Sequence, residues 1–237
     1  MQDAPATKSG LFDDLLEVFT APSKVFDRTR AASAGKYVLV TALIVAAIAI
    51  ATKNLLMPWM DAQADLQIAM AAAKGKPMPE AAISSMRSFT AWGIVIGAPL
   101  TMLIGPYFNA AFIKLGASIT KTSITFGQAA TVATLAGIPR ILGWISLPVQ
   151  ALVLDESKAK SLADLSLGPA RFVDALTTPP AVLTLLSNLD VFRLWQIALV
   201  AIGVSVVARV GKGTGVLIAV VMVAIGALIQ LIPSALF

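Results

Sequence analysis

The sequence predicts an all-α polytopic membrane protein, with five transmembrane helices and an N-terminal amphipathic helix in the cytoplasm. Hydrophobic residues make up 57% of the 237 residues and charged residues only 13%, about half the charged share of a typical soluble domain. The mean hydropathy is +0.83. Residues 190–237 consist of two apolar runs joined by a basic turn at 209–213, and a transmembrane helix needs about 20 such residues.

The composition also excludes several classes of chemistry. The chain contains no cysteine and no histidine, which removes disulfides, thiolate nucleophiles and the usual zinc sites. Histidine is also the commonest general base near neutral pH. The net charge of +5 comes from 18 scattered Lys and Arg residues, without the basic stripes that bind nucleic acid. We therefore expect no enzymatic activity, no cofactor, no metal site and no nucleic-acid partner.

Residues 1–36 are predicted to form a cytoplasmic segment that precedes a membrane domain of residues 37–237. Residues 11–19 place Leu16 and other apolar side chains largely on one helical face, opposite Asp14 and two further acids, which predicts an amphipathic helix. Because its polar face is acidic, the helix is a poor match for anionic lipid headgroups. We expect it to dock on protein, either a partner or the surface of this chain.

Five apolar runs predict the transmembrane helices. They cover about residues 37–52, 89–113, 128–154, 191–208 and 214–236. A polar stretch at 53–87 separates the first two runs, and an interfacial helix is predicted within it at 57–73, with Trp59 at the membrane–water boundary. Residues 155–189 form a second long polar stretch.

The distribution of basic residues predicts the orientation in the membrane. The loops after the second and fourth runs carry Lys114, Lys121, Arg209 and Lys212 and no acidic residue. The two long polar stretches contain both basic and acidic residues. Because short cytoplasmic loops carry an excess of Lys and Arg, we expect a cytoplasmic N-terminus and, after five spans, a C-terminus outside.

Arg140 falls about halfway along the third predicted span, where a cation costs about 2.5 kcal/mol or more. Its side chain is expected either to face a polar interior or to extend to the outer interface, and the sequence leaves both open. The predicted partners are Asn109 and the carbonyls near Pro139, with Asp190 as a further partner if the span lies farther out. No Asp or Glu lies mid-span, which argues against a proton- or sodium-coupled transporter.

Small residues and prolines predict how the spans pack and bend. Gly93 and Gly97 form a small-xxx-small face that permits the close approach of another helix. Pro99, Pro106 and Pro139 are predicted to kink the second and third spans, because proline removes a backbone donor and crowds the preceding turn. Such kinks occur at the substrate sites of transporters and also in membrane proteins without a transport role.

Three sequence blocks occur in a characteristic order. They are residues 21–26 (APSKVF), residues 123–132 followed by Ile138 and Pro139, and residues 189–196 (LDVFRLWQ) followed by Ala201, Ile202, Gly203, Lys212 and Gly213. In order and spacing these blocks resemble the Yip (Ypt-interacting protein) domain family, in the form found in prokaryotes. The resemblance covers about residues 20–236. The Ala129 and Ala130 pair and the stretch at 53–87 depart from the family pattern.

The resemblance implies five spans, a cytoplasmic N-terminus and a role in binding other membrane proteins. Eukaryotic members bind Rab-type GTPases in Golgi and endoplasmic-reticulum membranes, a pathway that prokaryotes lack. Some prokaryotic members resemble accessory membrane subunits of ABC-type export systems. We therefore expect an integral protein of a bacterial inner membrane. Its expected partners are the lipid bilayer and either other membrane proteins, with ABC-type export subunits first, or further copies of itself.

The third block also has a structural interpretation. Asp190 is well placed as an N-cap of the fourth span, where a carboxylate satisfies free amides and favours the positive end of the helix. Phe192 and Trp195 are three residues apart, so they share a helical face and can anchor at the interface or line an intramolecular contact. Gly203 is expected at a helix-packing position.

Three functions follow from these observations. The favoured one is a non-enzymatic integral membrane adaptor that binds another membrane protein or complex. The second is a small transporter, channel or lipid-handling protein, with a polar or anionic-headgroup site formed by the proline kinks and Arg140. The third is a membrane enzyme, for which only the carboxylates of Asp155, Glu156, Asp164 and Asp174 are available.

Overall fold

The computed structural model describes residues 10–73 and 75–236, and no β-strand occurs among them. This confirms the predicted all-α class. The α-helices of the described residues are α1 (Leu11–Glu17), α2 (Pro22–Arg28), α3 (Ala34–Ala73), α4 (Glu80–Ile119), α5 (Phe126–Ala136), α6 (Pro139–Val153), α7 (Pro180–Ser187), α8 (Val191–Val207) and α9 (Lys212–Leu236). Short 3-10 turns at Glu156–Lys158, Leu162–Leu165 and Pro169–Phe172 lie between α6 and α7. Residues 1–9 of the predicted N-terminal segment lie outside the described residues.

Several helical stretches are long and apolar enough to cross a membrane, so the chain is an integral membrane protein. Within the described ranges they are Ala34–Ala73, Trp92–Ile119, Phe126–Val153 and Lys212–Leu231. α7 and α8 meet at 69° and count as a fifth stretch if they are taken together. α8 alone has 17 residues, about 25 Å, whereas the hydrocarbon core is roughly 30 Å thick. The five predicted spans therefore correspond to four continuous stretches and one bent pair.

The first two spans extend well beyond their predicted ends. The sequence predicts a helix end near residue 52 and a separate interfacial helix at 57–73, whereas α3 continues without interruption for 40 residues. α4 is equally long instead of covering only 89–113. A helix of this length measures about 60 Å, roughly twice the bilayer core, so the α3–α4 hairpin must project from the membrane. The polar residues that indicated a loop lie on the projecting part, where Arg87 and Asp65 form an ion pair at 2.6 Å.

The projecting hairpin packs against the segment that contains the 3-10 turns. We call this assembly, residues 56–73, 75–94 and 151–178, the distal unit. The backbone amide of Leu162 donates a hydrogen bond to Gln63 Oε1 at 3.3 Å. The two polar stretches of the sequence, about 100 residues apart, therefore form one folded unit at the same end of the bundle. Its buried apolar side chains include Leu56, Trp59, Met60, Ile94, Ala151 and Leu165.

α5 lies at the centre of the bundle. Every residue from 129 to 136 is buried, and the helix packs against α3, α4 and α8. Its small side chains allow the neighbouring helices to approach closely. The helix begins with a reciprocal capping box: the Gln128 amide donates to Thr125 Oγ1 at 3.2 Å, and the Thr125 amide donates to Gln128 Oε1 at 3.0 Å.

The N-terminal helices pack along α8. Phe26 of α2 is fully buried. Arg30 Nη2 donates a hydrogen bond to the carbonyl of Val206 at 2.9 Å. The rings of Phe19 and Trp195 meet edge to face, with their centroids 5.1 Å apart. These contacts extend from the first turns of α8 to its last, so the segment before α3 forms part of the helix bundle.

The buried face of α1 differs from the predicted one at two positions. Asp14, expected on the polar face, is 4% exposed, whereas Leu16, expected on the apolar face, is 70% exposed. The Asp14 carboxylate accepts hydrogen bonds from Arg28 Nε at 2.6 Å and from the Tyr37 hydroxyl at 2.5 Å. Hydrogen bonds to a charged acceptor are roughly twice as strong as neutral ones. These bonds hold the acid inside and set the rotation of α1 about its axis.

Glycines show where the helices approach most closely. A Cβ added at Gly203 of α8 would lie 2.8 Å from Val132 Cγ1 and 3.0 Å from the ring of Phe26, so this glycine lies where α2, α5 and α8 cross. At Gly97 no such neighbour lies within 4 Å, and at Gly93 only a ring of α4 itself does. Among the described residues, no neighbouring helix therefore comes as close to these two glycines as at Gly203.

Replacing Asp14 by Asn tests the docking of α1. Asp14→Asn should lower the free energy of unfolding by about 1–3 kcal/mol, because Arg28 and Tyr37 lose a charged acceptor. Asp13→Asn makes the same chemical change at an exposed neighbouring position, where the new amide oxygen can still accept the hydrogen bond from the Gly10 amide, and it should have a smaller effect. Thermal unfolding of the purified protein in a neutral detergent measures both. Equal melting temperatures for the two variants would contradict the docking through Asp14.

Replacing Gly203 by Ala tests the crossing of α2, α5 and α8. The added methyl group should destabilise the protein by about 1–3 kcal/mol, since it overlaps Val132 and Phe26. Gly97→Ala is the matched control, and it should leave stability unchanged or raise it by up to about 1 kcal/mol through helix propensity. Melting temperatures in the same detergent provide the comparison. A Gly203→Ala variant as stable as Gly97→Ala would show that the helices do not meet there.

Candidate functional site

The break between α5 and α6 determines where Arg140 lies. The third span is interrupted at Gly137 and Ile138, which adopt a turn, and Pro139 begins α6. Proline suits this first helical position because the amide there has no helical partner. α5 is buried along most of its length, whereas the Arg140 side chain, just after the break, is accessible. The predicted kink at Pro139 thus coincides with a helix break.

Arg140 lines a crevice of about 160 Å³ between α6, the start of α8 and the distal unit. The side chain is accessible from the crevice, although protein atoms surround most of it. Two of the predicted site residues, Asp190 and Phe192, line the same crevice. The polar and aromatic side chains that line the crevice are Arg140, Trp144 and Ser146 of α6, Ser166 of the distal unit, Asp190 just before α8 and Phe192 in its first turn.

The Asp190 carboxylate is engaged in capping α8. Its Oδ1 accepts hydrogen bonds from the amides of Phe192 at 2.8 Å and Arg193 at 2.9 Å, so Asp190 occupies the N-cap position that the sequence predicts. The negative charge of this carboxylate attracts Arg140. Within the residues that the structure describes, however, the Arg140 guanidinium group forms no hydrogen bond or ion pair. The attraction between Arg140 and Asp190 is therefore long-range.

A second arginine, Arg193, lies beside the crevice. Its Nη1 donates to Gln196 Oε1 at 3.0 Å, and Gln196 is fully buried. Its Nε is buried and has no hydrogen-bond partner within the described part of the chain. Arg193 and Arg140 are close enough for their charges to repel one another, while Asp190 attracts both. Two cations therefore share one carboxylate.

Both arginines lie at a similar depth in the bundle. Arg140 follows Phe126, the first residue of α5, by about four helical turns, roughly 21 Å. Arg193 faces Gly226, whose added Cβ would lie 3.8 Å from its Nη2. Gly226 follows Lys212, the first residue of α9, by the same roughly 21 Å. If the first residues of α5 and α9 mark the edge of the hydrocarbon core, the arginines are about two-thirds of the way across its roughly 30 Å, where an uncompensated cation is costly.

On its other side Arg140 meets a smaller cavity of about 30 Å³, which Asn109, Pro106 and Gln196 also line. Arg140 and its predicted partner Asn109 therefore line the same cavity, but no hydrogen bond joins them in the described structure. Pro106 lies inside α4, which continues through it and through Pro99. Because proline lacks an amide hydrogen, the carbonyl four residues before Pro106 lacks its helical donor. The cavity has room for about one or two water molecules.

The two aromatic residues of the third block contact different elements. The ring of Phe192 packs on Gly143 of α6, where an added Cβ would lie 3.2 Å from Phe192 Cδ2. Trp195 packs on Phe19 of the N-terminal segment. Phe192 thus holds α8 close to α6 beside the crevice, and Trp195 holds the N-terminal helices against α8.

Three residues near the crevice were not predicted as site residues. Arg193 and Gln196 lie in the third block, and their i, i+3 spacing after the Asp190 cap could have indicated a polar helix face. Ser166 lies in a polar stretch and carries no signal in the sequence. Its Oγ is buried and without a hydrogen-bond partner in the described residues. Across those residues, no group of three or more acidic side chains is placed to hold a metal ion.

Comparison with known proteins identifies the family of the chain. The model of the Yip1 domain family matches residues 16–232, which is almost the whole chain and includes α2 through α8. No curated protein and no solved structure matches the chain. The match spans α2, the distal unit and both arginines, and the protein therefore belongs to the Yip1 domain family.

Proposed function

We propose that this protein is a non-enzymatic integral membrane adaptor, an accessory subunit that binds other membrane proteins in an export or trafficking system. The observation that carries the proposal is the distal unit. It projects from the membrane, and it exposes Phe172 (82%) and Leu176 (56%) to solvent. Large apolar side chains that a folded unit leaves exposed outside a membrane favour a protein partner.

The N-terminal helices supply a second surface of this kind. Phe12 and Leu16 of α1 are exposed and four residues apart, so they share one helical face. The exposed Asp13 lies beside them, and an acidic helix is a poor match for anionic lipids. A surface of this composition favours a protein partner.

The family resemblance supports the choice of partner and location. Some prokaryotic members resemble accessory membrane subunits of ABC-type export systems, so an ATPase or permease subunit is the first partner class that we propose. We further propose a bacterial inner membrane, with the N-terminus in the cytoplasm and the C-terminus outside. The basic loops after α4 and α8 support this orientation. Self-association is the alternative partnership.

Replacing Phe172 by Ala tests the adaptor proposal. The full chain is purified in mild detergent through an N-terminal tag, and companions present in stoichiometric amounts are identified by mass spectrometry. Phe172→Ala should reduce a companion at least severalfold, because it removes the most exposed aromatic ring of the distal unit. Phe108→Ala makes the same change on the exposed face of α4, within a span, and should retain the companion.

Two results would contradict this proposal. A wild-type protein that purifies repeatedly as a monomer without companions would argue against an adaptor. A companion that Phe172→Ala and Phe108→Ala retain equally would place the binding surface outside the distal unit.

The crevice favours a second candidate function, a small transporter or lipid-handling protein with a polar site near Arg140. The supporting observation is an accessible arginine without a direct partner among the described residues, deep within the spans. Arg140→Leu separates the two functions. An adaptor should retain its companion and its cellular function in this variant, because Phe172 does not line the crevice. A transporter or lipid-handling protein should lose function, which complementation of a deletion strain would measure.

A further inference from the structure

We infer that the crevice between α6, α8 and the distal unit binds a phosphate group through Arg140 and the hydroxyl of Ser166. The group would belong to an anionic phospholipid headgroup or to free phosphate. This inference concerns the same crevice as the second candidate function, but it requires no transport. It is equally compatible with an adaptor that holds one lipid at a fixed position.

The first argument is the balance of charge. Arg140 and Arg193 are near one another, and Asp190 is the carboxylate that attracts both. Its Oδ1 already accepts two backbone hydrogen bonds as the cap of α8. A group with two cations and one engaged anion attracts a further anion, and the low dielectric of the spans strengthens that attraction. A metal cation would meet net repulsion there.

The second argument is the availability of donors. The Arg140 guanidinium group makes no hydrogen bond to a described residue, so its planar fork of N–H groups is free to bind an oxyanion. This fork matches the spacing of two phosphate oxygens. Ser166 lines the same crevice, and its buried Oγ likewise has no partner in the described part of the chain. Buried polar atoms are seldom left unpaired, and a phosphate oxygen would accept from both side chains.

The third argument is the size and lining of the crevice. A cavity of about 150 Å³ holds a benzene-sized molecule, so a volume of about 160 Å³ admits one phosphate group and excludes a complete phospholipid. Leu147, Leu165 and Phe192 line it beside the polar groups. These apolar walls suit the glycerol part of a headgroup. The distal unit closes one side through Leu165 and Ser166.

The test compares the wild-type full chain with Arg140→Gln and Ser166→Ala. The proteins are placed in nanodiscs of phosphatidylcholine with or without phosphatidylglycerol, and their melting temperatures are measured. In a second arm, each protein in neutral detergent is titrated with inorganic phosphate, with chloride of equal ionic strength as the reference. Anionic phospholipid that co-purifies is measured per mole of protein by mass spectrometry.

We expect stabilisation of the wild type by the phosphate-bearing ligand and its loss in Arg140→Gln. Co-purified anionic lipid should fall by about tenfold in Arg140→Gln and severalfold in Ser166→Ala, since a charge-assisted bond contributes more than a neutral one. Arg140→Lys keeps the charge without the fork and should fall between these values. Arg87→Gln removes an exposed arginine of the distal unit and should match the wild type.

The two arms distinguish the sources of the phosphate. Stabilisation by phosphatidylglycerol alone identifies a lipid headgroup, and stabilisation by inorganic phosphate in detergent identifies free phosphate. If neither ligand affects the wild type more than Arg140→Gln, the inference is overturned. Companion binding by Arg140→Gln is measured in the same preparation. Loss of the anion with the companion retained leaves the adaptor proposal standing, so failure of one proposal is not mistaken for failure of the other.

Discussion

The crossing of α2, α5 and α8 at Gly203 is the packing constraint on which the rest of the bundle depends. The absence of a side chain there lets Phe26 and Val132 enter the surface of α8. The N-terminal helices are thereby fixed along α8, and Phe19 reaches Trp195 near its first turn. With α8 held in this way, Phe192 lies against Gly143 of α6. The crevice is a consequence of that second contact.

The unbalanced charge of the crevice follows from how its parts are assembled. Arg140 is accessible because the third span breaks just before Pro139 and the new helix begins beside α8. Arg193 is present because the turn that follows the Asp190 cap points toward α9 and Gln196. The position of each arginine is explained by the helix that carries it. The carboxylate of Asp190, however, already accepts the hydrogen bonds of the α8 cap. A membrane protein tolerates such an arrangement when a polar cavity or a ligand compensates for it.

Hydropathy and charge predicted the helical class, the apolar runs and the exceptional position of Arg140, because these properties are local to each segment. The length of α3 could not be predicted in this way. Hydropathy reports where a helix leaves the membrane, whereas α3 continues far beyond that point as the core of the distal unit. The burial of Asp14 depends on Arg28 and Tyr37, which lie on other helices. Ser166 reaches the crevice only through the fold of the distal unit, and no local pattern marks it.

The distal unit connects the proposed partner surface with the crevice. Arg171 Nη1 donates to Gln150 Oε1 of α6 at 3.3 Å and to the carbonyl of Ser166 at 3.4 Å. The adjacent residue is the exposed Phe172, and Ser166 lines the crevice. A partner that moved the segment around Phe172 would change the position of Ser166 through Arg171, and an anion held at Ser166 would restrain the same segment. Coupling between two sites is reciprocal. The short segment from Ser166 to Phe172 would therefore link the binding of a partner outside the membrane to the binding of an anion within it.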